Sequence, residues 1–210
     1  QALAHWNHIL GLGLEMRALP VDASGRHDLH TLASWLPQTA MLCTMAANNE
    51  TGVVTDLAAI GCLLRAVADK PLWLVDGVQA LGKLNMNLQA SAIDYAVFSG
   101  HKLFAPKGVG ILYVRRGAPF TPLMVGGGQE AGLRGGTENM PGIAALGAVL
   151  QALLAGQGFA SHATLCAWRD QLVRSLRQAF PAVEFNAPID LCLPTTLNFA
   201  VPGVSGKTML

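Results

Sequence analysis

Charge is what this sequence has least of. Asp, Glu, Lys and Arg make up 13% of its 210 residues, about half the share of an ordinary globular chain. Apolar residues reach 51% and mean hydropathy is +0.38, which excludes a disordered chain and predicts apolar surface covered by further chain or by a partner subunit. A basic block is absent too. Fourteen Lys and Arg stand against thirteen Asp and Glu, for a net charge of +1, so a surface that tracks nucleic-acid phosphates has no support. No long unbroken apolar run exists. The uncharged stretches Leu29 to Asn49 and Asn139 to Trp168 are interrupted by Pro37, Gln38, Asn48 and Asn49, and by Pro141, Gln151, Gln157 and His162. Neither reads as a membrane span. The four cysteines, Cys43, Cys62, Cys166 and Cys192, form no CxxC pair, and their apolar neighbours predict reduced, buried thiols in a cytoplasmic protein. The sequence opens at Gln1 without an initiator Met and stops at Leu210 within what reads as a starting helix, which suggests an internal piece of a longer chain.

What is present has a regular rhythm. Leu3, Trp6, Ile9 and Leu10 are spaced for a helix ending near Gly11 or Gly13, with a short strand expected over Leu14 to Leu19. Asp28 can cap a helix carrying Leu29, Leu32 and Leu36, which Pro37 should end. Strands are predicted at Met41 to Met45, Leu72 to Val75 ending in Asp76, and Tyr95 to Phe98 ending in Ser99, with a helix from about Asp56 to Ala68. Strands alternating with helices imply a mostly parallel sheet with helices on both faces, an α/β fold. Val109 to Val114 should pair antiparallel with the strand before it, because the connection is too short for a crossover helix. Gly126 to Gly136 reads as a turning loop, Pro141 as the start of a helix to about Leu154, and Phe159 to Phe180 as another helix. Two short strands between Val183 and Val201 suggest the start of a smaller α+β domain, so residues 1–155 and 156–210 are the expected units.

The strongest local signal is Ser99-Gly100-His101-Lys102, directly after a buried strand and before Pro106-Lys107-Gly108. Ligands of open parallel sheets gather beyond the carboxyl ends of strands. A lysine there suits a Schiff-base amine, with Ser99 and His101 able to hold an anion; taken alone, a solvated lysine in a surface turn explains it as well. Asp76 ends the neighbouring strand and should enter the same crevice, where a pyridinium nitrogen would satisfy its charge; a cap on a following helix is the alternative. Asn48, Asn49 and Glu50 lie at a third strand end, where amides could bind a ring hydroxyl or a carboxylate. The glycines of 126–136 are a poor dinucleotide fingerprint, since no strand leads into them. Gly206-Lys207-Thr208 imitates the end of a phosphate loop but has Val201 where that pattern needs glycine. The pairs His5/His8 and His27/His30 lack a third ligand, so no metal site is expected.

Asn48-Asn49-Glu50-Thr51-Gly52, Val75-Asp76-Gly77-Val78-Gln79, Ser99-Gly100-His101-Lys102, Gly126-Gly127-Gly128-Gln129-Glu130 and Arg134-Gly135-Gly136-Thr137-Glu138-Asn139 occur in the order seen in cysteine desulfurases. Through these five motifs nearly the whole chain resembles that family of fold-type I, class-V aminotransferase-like enzymes, which use pyridoxal 5'-phosphate. The resemblance implies that Lys102, Asp76 and His101 are catalytic positions. Lys102 would hold the cofactor covalently, Asp76 would pair with its pyridine nitrogen, and Gln79 would bond the ring hydroxyl. Ser99 and His101 would bind the phosphate, with Thr137 doing so from the neighbouring subunit of a homodimer, and Asn49 would sit near the ring hydroxyl and the substrate carboxylate.

The implied reaction takes sulfur from L-cysteine as an enzyme persulfide and releases L-alanine, for an iron-sulfur scaffold or a sulfur carrier. The Asn-Asn-Glu-Thr-Gly wording is similar to the group that contains the nitrogen-fixation and housekeeping iron-sulfur enzymes. Selenocysteine lyases or aminotransferases of the same class, and a non-catalytic scaffold retaining the fold, are the alternatives. The family's ring-stacking His would precede Gln1, and its sulfur-accepting Cys and carboxylate-binding Arg would follow Leu210, so the 210 residues by themselves are expected to be inactive. Gly77, Ala105 and Gly135 replace the family's usual Ala, Gly and Ser, swaps expected to be accepted in turns.

Overall fold

The computed structural model describes residues 2–158 and 160–209. Gln1, Phe159 and Leu210 lie outside the described residues, and with them the expectations placed on the two chain ends and on a helix starting at Phe159.

Helix α1 (Ala2–Ile9) leads into an irregular stretch, and α2 (Leu29–Trp35) follows. Asp28 caps α2 by accepting from the backbone N–H groups of His30 and Thr31, both at 3.0 Å, a contact of about 1 kcal/mol. Pro37 does not stop the helix outright. Its ring fits the first turn of a 3-10 segment over Leu36–Gln38, which carries the chain to β1 (Met41–Met45). Next come α3 (Leu57–Ala66), capped by Asp56 through the Ala59 N–H at 2.9 Å, then β2 (Leu72–Asp76), β3 (Tyr95–Ser99) and β4 (Gly110–Val114). The four strands form one sheet in the order β1-β2-β3-β4. β1, β2 and β3 run parallel, and β4 is antiparallel to β3, as its short connection requires. Helix α4 (Met140–Leu154) starts one residue before Pro141, with Asn139 accepting from the Gly142 N–H at 3.2 Å. Helix α5 (His162–Ala179) is capped by Ser161. The two-stranded pair β5 (Glu184–Phe185) and β6 (Phe199–Ala200) and the short α6 (Gly206–Met209) complete the elements.

One side of the sheet carries the core. Leu42, Trp73, Val75, Ala96 and Phe98 point to α2 and α3, where Leu32, Leu36, Ile60 and Leu64 meet them. Trp73 is fully buried, and its indole N–H donates to Thr44 Oγ1 at 3.0 Å, so each polar group satisfies the other. Fully burying each Ile, Leu or Val here stabilises the fold by roughly 1.5–3 kcal/mol.

Two expectations fail. No strand forms over Leu14 to Leu19. The amide of Asn7 both donates to the Leu14 carbonyl and accepts from its N–H, each at 2.9 Å, taking up the groups a ladder would have used. The cysteines are not uniformly buried either. Cys43 and Cys62 are exposed, and Cys166 and Cys192 are half-buried. Cys43 faces away from the core because it alternates with buried Leu42 and Thr44, and Cys62 lies on the outer face of α3. All four thiols are free. Loss of solvent around Cys43 and Cys192 pushes their thiols up. Cys62 is therefore expected to be alkylated first by iodoacetamide at neutral pH, ahead of Cys43 and Cys192. Peptide mapping over a time course checks this, and Cys192 reacting before Cys62 would contradict it. Among the described residues no helix is long and apolar enough to cross a membrane, and no His, Cys, Asp and Glu cluster could hold a metal.

Candidate active site

Because β1, β2 and β3 are parallel, their carboxyl ends share one edge of the sheet. Met45 pairs with Asp76, and Asp76 with Val97, so Asp76 and the Ser99 to Lys102 segment leave the sheet side by side. Asp76 is half-buried, and its Oδ1 accepts from the N–H of Val78 at 2.9 Å. This bond engages one carboxylate oxygen and fixes the head group at the strand end.

Beyond β3 the chain enters a 3-10 turn, Gly100–Leu103. Ser99 Oγ and His101 Nδ1 are 2.7 Å apart, which joins a hydroxyl and an imidazole into one polar unit. Lys102 is exposed on the same turn, while Leu103 is buried and anchors it. Phe104 follows in a left-handed conformation, with φ at 66°, and its N–H bonds the Gly100 carbonyl to close the turn. Glycine at position 100 lets the neighbouring segments approach closely. A Cβ on it would stand 3.1 Å from the Val109 carbonyl oxygen and 3.3 Å from the Ala105 methyl.

Gln79 is buried, with 9% of its surface exposed, on the helical turns that leave β2, and its Oε1 accepts from Lys83 Nζ at 3.2 Å. Burial pushes the Lys83 ammonium below the usual lysine range, and the charge of Lys102 adds to that shift. Asp76, Gln79, Ser99, His101 and Lys102 thus belong to two adjacent strand ends. Asn49 leaves the end of β1, but its side chain is turned to Glu50 Oε1 at 3.0 Å. Among the described residues it makes no hydrogen bond to the other candidates. Thr137 is exposed on a separate loop and is likewise not tied to them.

The donor set suits pyridoxal phosphate. A half-buried carboxylate with a free oxygen matches a pyridinium nitrogen, a buried amide matches a ring hydroxyl, and the Ser99–His101 unit matches a phosphate. The Lys102 amine has no acceptor among the described residues and is available for a carbonyl carbon.

The bond between Lys83 and Gln79 was not foreseen from the sequence, although their i+4 spacing on a helical turn was a usable signal. Glycine is accommodated closely at two of the positions where the family usually carries a side chain. A side chain at Gly135 would bring its Cβ within 2.9 Å of the Val125 carbonyl carbon, so a serine there would displace backbone. At Gly77 a Cβ would come 2.3 Å from the Phe98 ring, which would have to turn away. The cavity of about 430 Å³ lined by Asp22, His27, Val54 and Ile60, among others, includes none of the candidate residues.

A strand-end aspartate beside a strand-end Ser-Gly-His-Lys turn is the arrangement of a class-V aminotransferase, and the profile described as "Aminotransferase class-V" matches residues 2–210. The chain belongs to that family. Its relatives include cysteine desulfurases. "Cysteine desulfurase 2" of Trichormus variabilis is 44% identical over 199 residues, covering 94% of this chain and 49% of that protein. "Cysteine desulfurase NifS" of Azotobacter vinelandii is 38% identical over 208 residues, covering 97% and 50%. Among solved structures, a "NifS-like protein" superimposes with a TM-score of 0.86 at 33% identity, over 99% of this chain and 56% of the other. DndA from Streptomyces lividans gives 0.84 at 32% identity, over 99% and 58%. The chain spans about half the length of the curated relatives it matches.

Proposed function

We propose that this chain works in a pyridoxal-phosphate-dependent cysteine desulfurase that takes sulfur from L-cysteine and releases L-alanine. The observation that carries this reading is the pairing of Asp76 in register with Val97, which sets its carboxylate beside the Ser99-Gly100-His101-Lys102 turn. Bound pyridoxal phosphate supplies an electron sink for the charge left when the substrate's α-proton departs. The chain's own groups do the rest. Asp76 holds the proton of the ring nitrogen, Gln79 bonds the ring hydroxyl, Ser99 and His101 bind the phosphate, and Asn49 lies toward the substrate carboxylate. Lys102 Nζ would hold the cofactor covalently and, when free of it, would move the substrate's α-proton. Attack of an enzyme thiolate on the substrate sulfur would form the S–S bond of a persulfide as the C–S bond breaks, and protonation of the carbon left behind would give alanine.

In this reading residues 1–155 are most of the cofactor-binding domain, and 156–210 are a connecting helix and part of a smaller one. The two are joined where Gly52 O accepts from Leu193 N at 2.8 Å and Glu50 O accepts from Asn198 Nδ2 at 3.1 Å. Gly126 to Asn139 is mostly exposed, which suits a loop that brings Thr137 to the cofactor of a neighbouring subunit in a homodimer. Free thiols suit the cytoplasm, and an iron-sulfur scaffold or a sulfur-carrier protein would receive the sulfur. None of the four cysteines is assigned as the nucleophile.

Mixing the protein with pyridoxal phosphate should give a visible absorbance band that borohydride fixes on the Lys102 peptide. Given cysteine and a thiol reductant to release sulfur from the persulfide, the full-length holoenzyme should then form alanine and sulfide in equal amounts. A colourless protein, or label on Lys83, Lys107 or Lys207, would defeat the reading.

A further inference from the structure

Lys83 belongs to no motif that marks the family resemblance, yet the fold brings it to the candidate site. Gln79 Oε1 accepts from its Nζ at 3.2 Å. An ammonium only donates, so the end of the amide that faces it must be the oxygen, and the NH2 end is turned elsewhere. The backbone explains the meeting. Leu81 N bonds Gly77 O, and Lys83 N and Leu84 N bond Ala80 O, so residues 77–84 coil in helical turns that place position 83 over position 79. Gly82, at a φ of +75°, then presses onto the next segment. A Cβ there would lie 2.8 Å from Leu103 Cδ2, and Leu103 adjoins Lys102. Lys83 therefore bonds the amide of Gln79 and directly follows the residue that packs on the turn carrying Lys102.

We propose that Lys83 is a positioning residue, whose ammonium holds the oxygen end of Gln79 so that the NH2 end is presented as a donor to the cofactor's ring oxygen, and whose charge stands beside the Lys102 amine. The cofactor half of this rests on the function proposed above. With Lys83 in place, Gln79 cannot rotate to offer its oxygen to an anionic ring oxygen without leaving the ammonium unpaired. The half-buried position of Lys83 makes that exchange costly. Burial, followed by the charge of Lys102, lowers the Lys83 amine. Among the described residues, one neutral acceptor and one like charge thus act on it.

Two measurements test this. In the holoenzyme, Lys83→Met should raise the pH at which the visible band titrates by about one unit, the scale of a neighbouring charge. Both losses act in that direction, because the protonated chromophore is relieved of a nearby cation and its ring oxygen of a competing donor. Lys83→Arg should titrate like the wild type, and Gln79→Met should shift the midpoint less in the Lys83→Met background than alone. The second measurement needs no cofactor. In the apo-protein, reductive methylation followed by mass spectrometry should modify Lys83 at lower pH than Lys107, and Lys102→Ala should move the Lys83 profile to higher pH. Lys83→Met titrating like the wild type, or a Lys83 methylation profile that ignores Lys102→Ala, would overturn the proposal while the desulfurase reading stands. A wild-type protein that takes up no cofactor would overturn that reading and the cofactor half of this one.

Discussion

Replacing Lys102 by Ala should give a protein that folds, binds pyridoxal phosphate without a covalent bond, and loses the borohydride-fixed label. Lys102 is exposed, and the 3-10 turn under it is held by backbone bonds and by buried Leu103, so its removal disturbs no packing. Chemistry is where the loss falls. An amine on the reacting group acts as an intramolecular reagent, and proton transfer by a placed side chain contributes roughly 10²–10⁴-fold. Alanine formation should drop by at least that factor. Lys83 is the natural substitute, being a half-buried amine that feels the charge of Lys102. It is held by Gln79 Oε1, however, and would have to give up that bond to reach a carbonyl carbon. The Lys102→Ala protein is therefore expected to stay unlabelled at Lys83. Borohydride label there would show that the two amines are interchangeable.

Much of this site could be read from the sequence because a parallel sheet turns linear order into spatial order. Each of β1, β2 and β3 is a short apolar run whose first polar residues lie at one edge once the strands align, so Asp76 and Ser99 needed no long-range information. The direction of β4 followed from the length of its connection. Features that depend on distant partners were not legible in the same way. Leu14 to Leu19 has strand-like composition, but Asn7 occupies the backbone groups of Leu14. The exposure of Cys43 depends on which face of β1 meets α2 and α3, and the one polar residue of Met41 to Met45, Thr44, lies on the buried face, where it is satisfied by the distant Trp73. The place of Lys83 depends on a left-handed glycine at 82 packing on Leu103, a contact with no sequence pattern of its own. The need for glycine at 135 likewise comes from the approach of Val125, ten residues earlier in the chain.

The largest effect on stability should come from Asp94, which touches none of the candidate catalytic groups. Its residue is 5% exposed, and its Oδ2 accepts from the backbone N–H of Trp73 at 2.8 Å and from Lys70 Nζ. Arg115 Nε stands 4.0 Å from Oδ1 and donates to the Ile93 carbonyl at 2.7 Å, while its Nη2 donates to the carbonyls of Leu88 at 2.7 Å and Ser91 at 2.8 Å. One carboxylate therefore ties the start of β2 and Lys70 to the entry to β3, and Arg115 beside it holds the long connection between the strands. Asp94→Ala removes an acceptor from a buried N–H and leaves two cations facing a void. Breaking a buried pair costs about 3–5 kcal/mol. Lys70 is partly exposed and can recover water, so the lower end, about 3 kcal/mol, is expected. That is a large part of the roughly 5–15 kcal/mol that holds a domain folded. At roughly 2–4 °C per kcal/mol for a chain of this size, the melting temperature should fall by roughly 6–12 °C. Asp94→Asn keeps an acceptor for Trp73 and should lose less than half as much. β3 carries Ser99 at its far end, so slippage at Asp94 should also weaken cofactor binding, although no contact with the cofactor is lost. Calorimetry on the two variants, with and without pyridoxal phosphate, separates these effects. An Asp94→Ala protein that melts with the wild type would show that the Trp73 and Lys70 contacts contribute nothing to the sheet that carries the site.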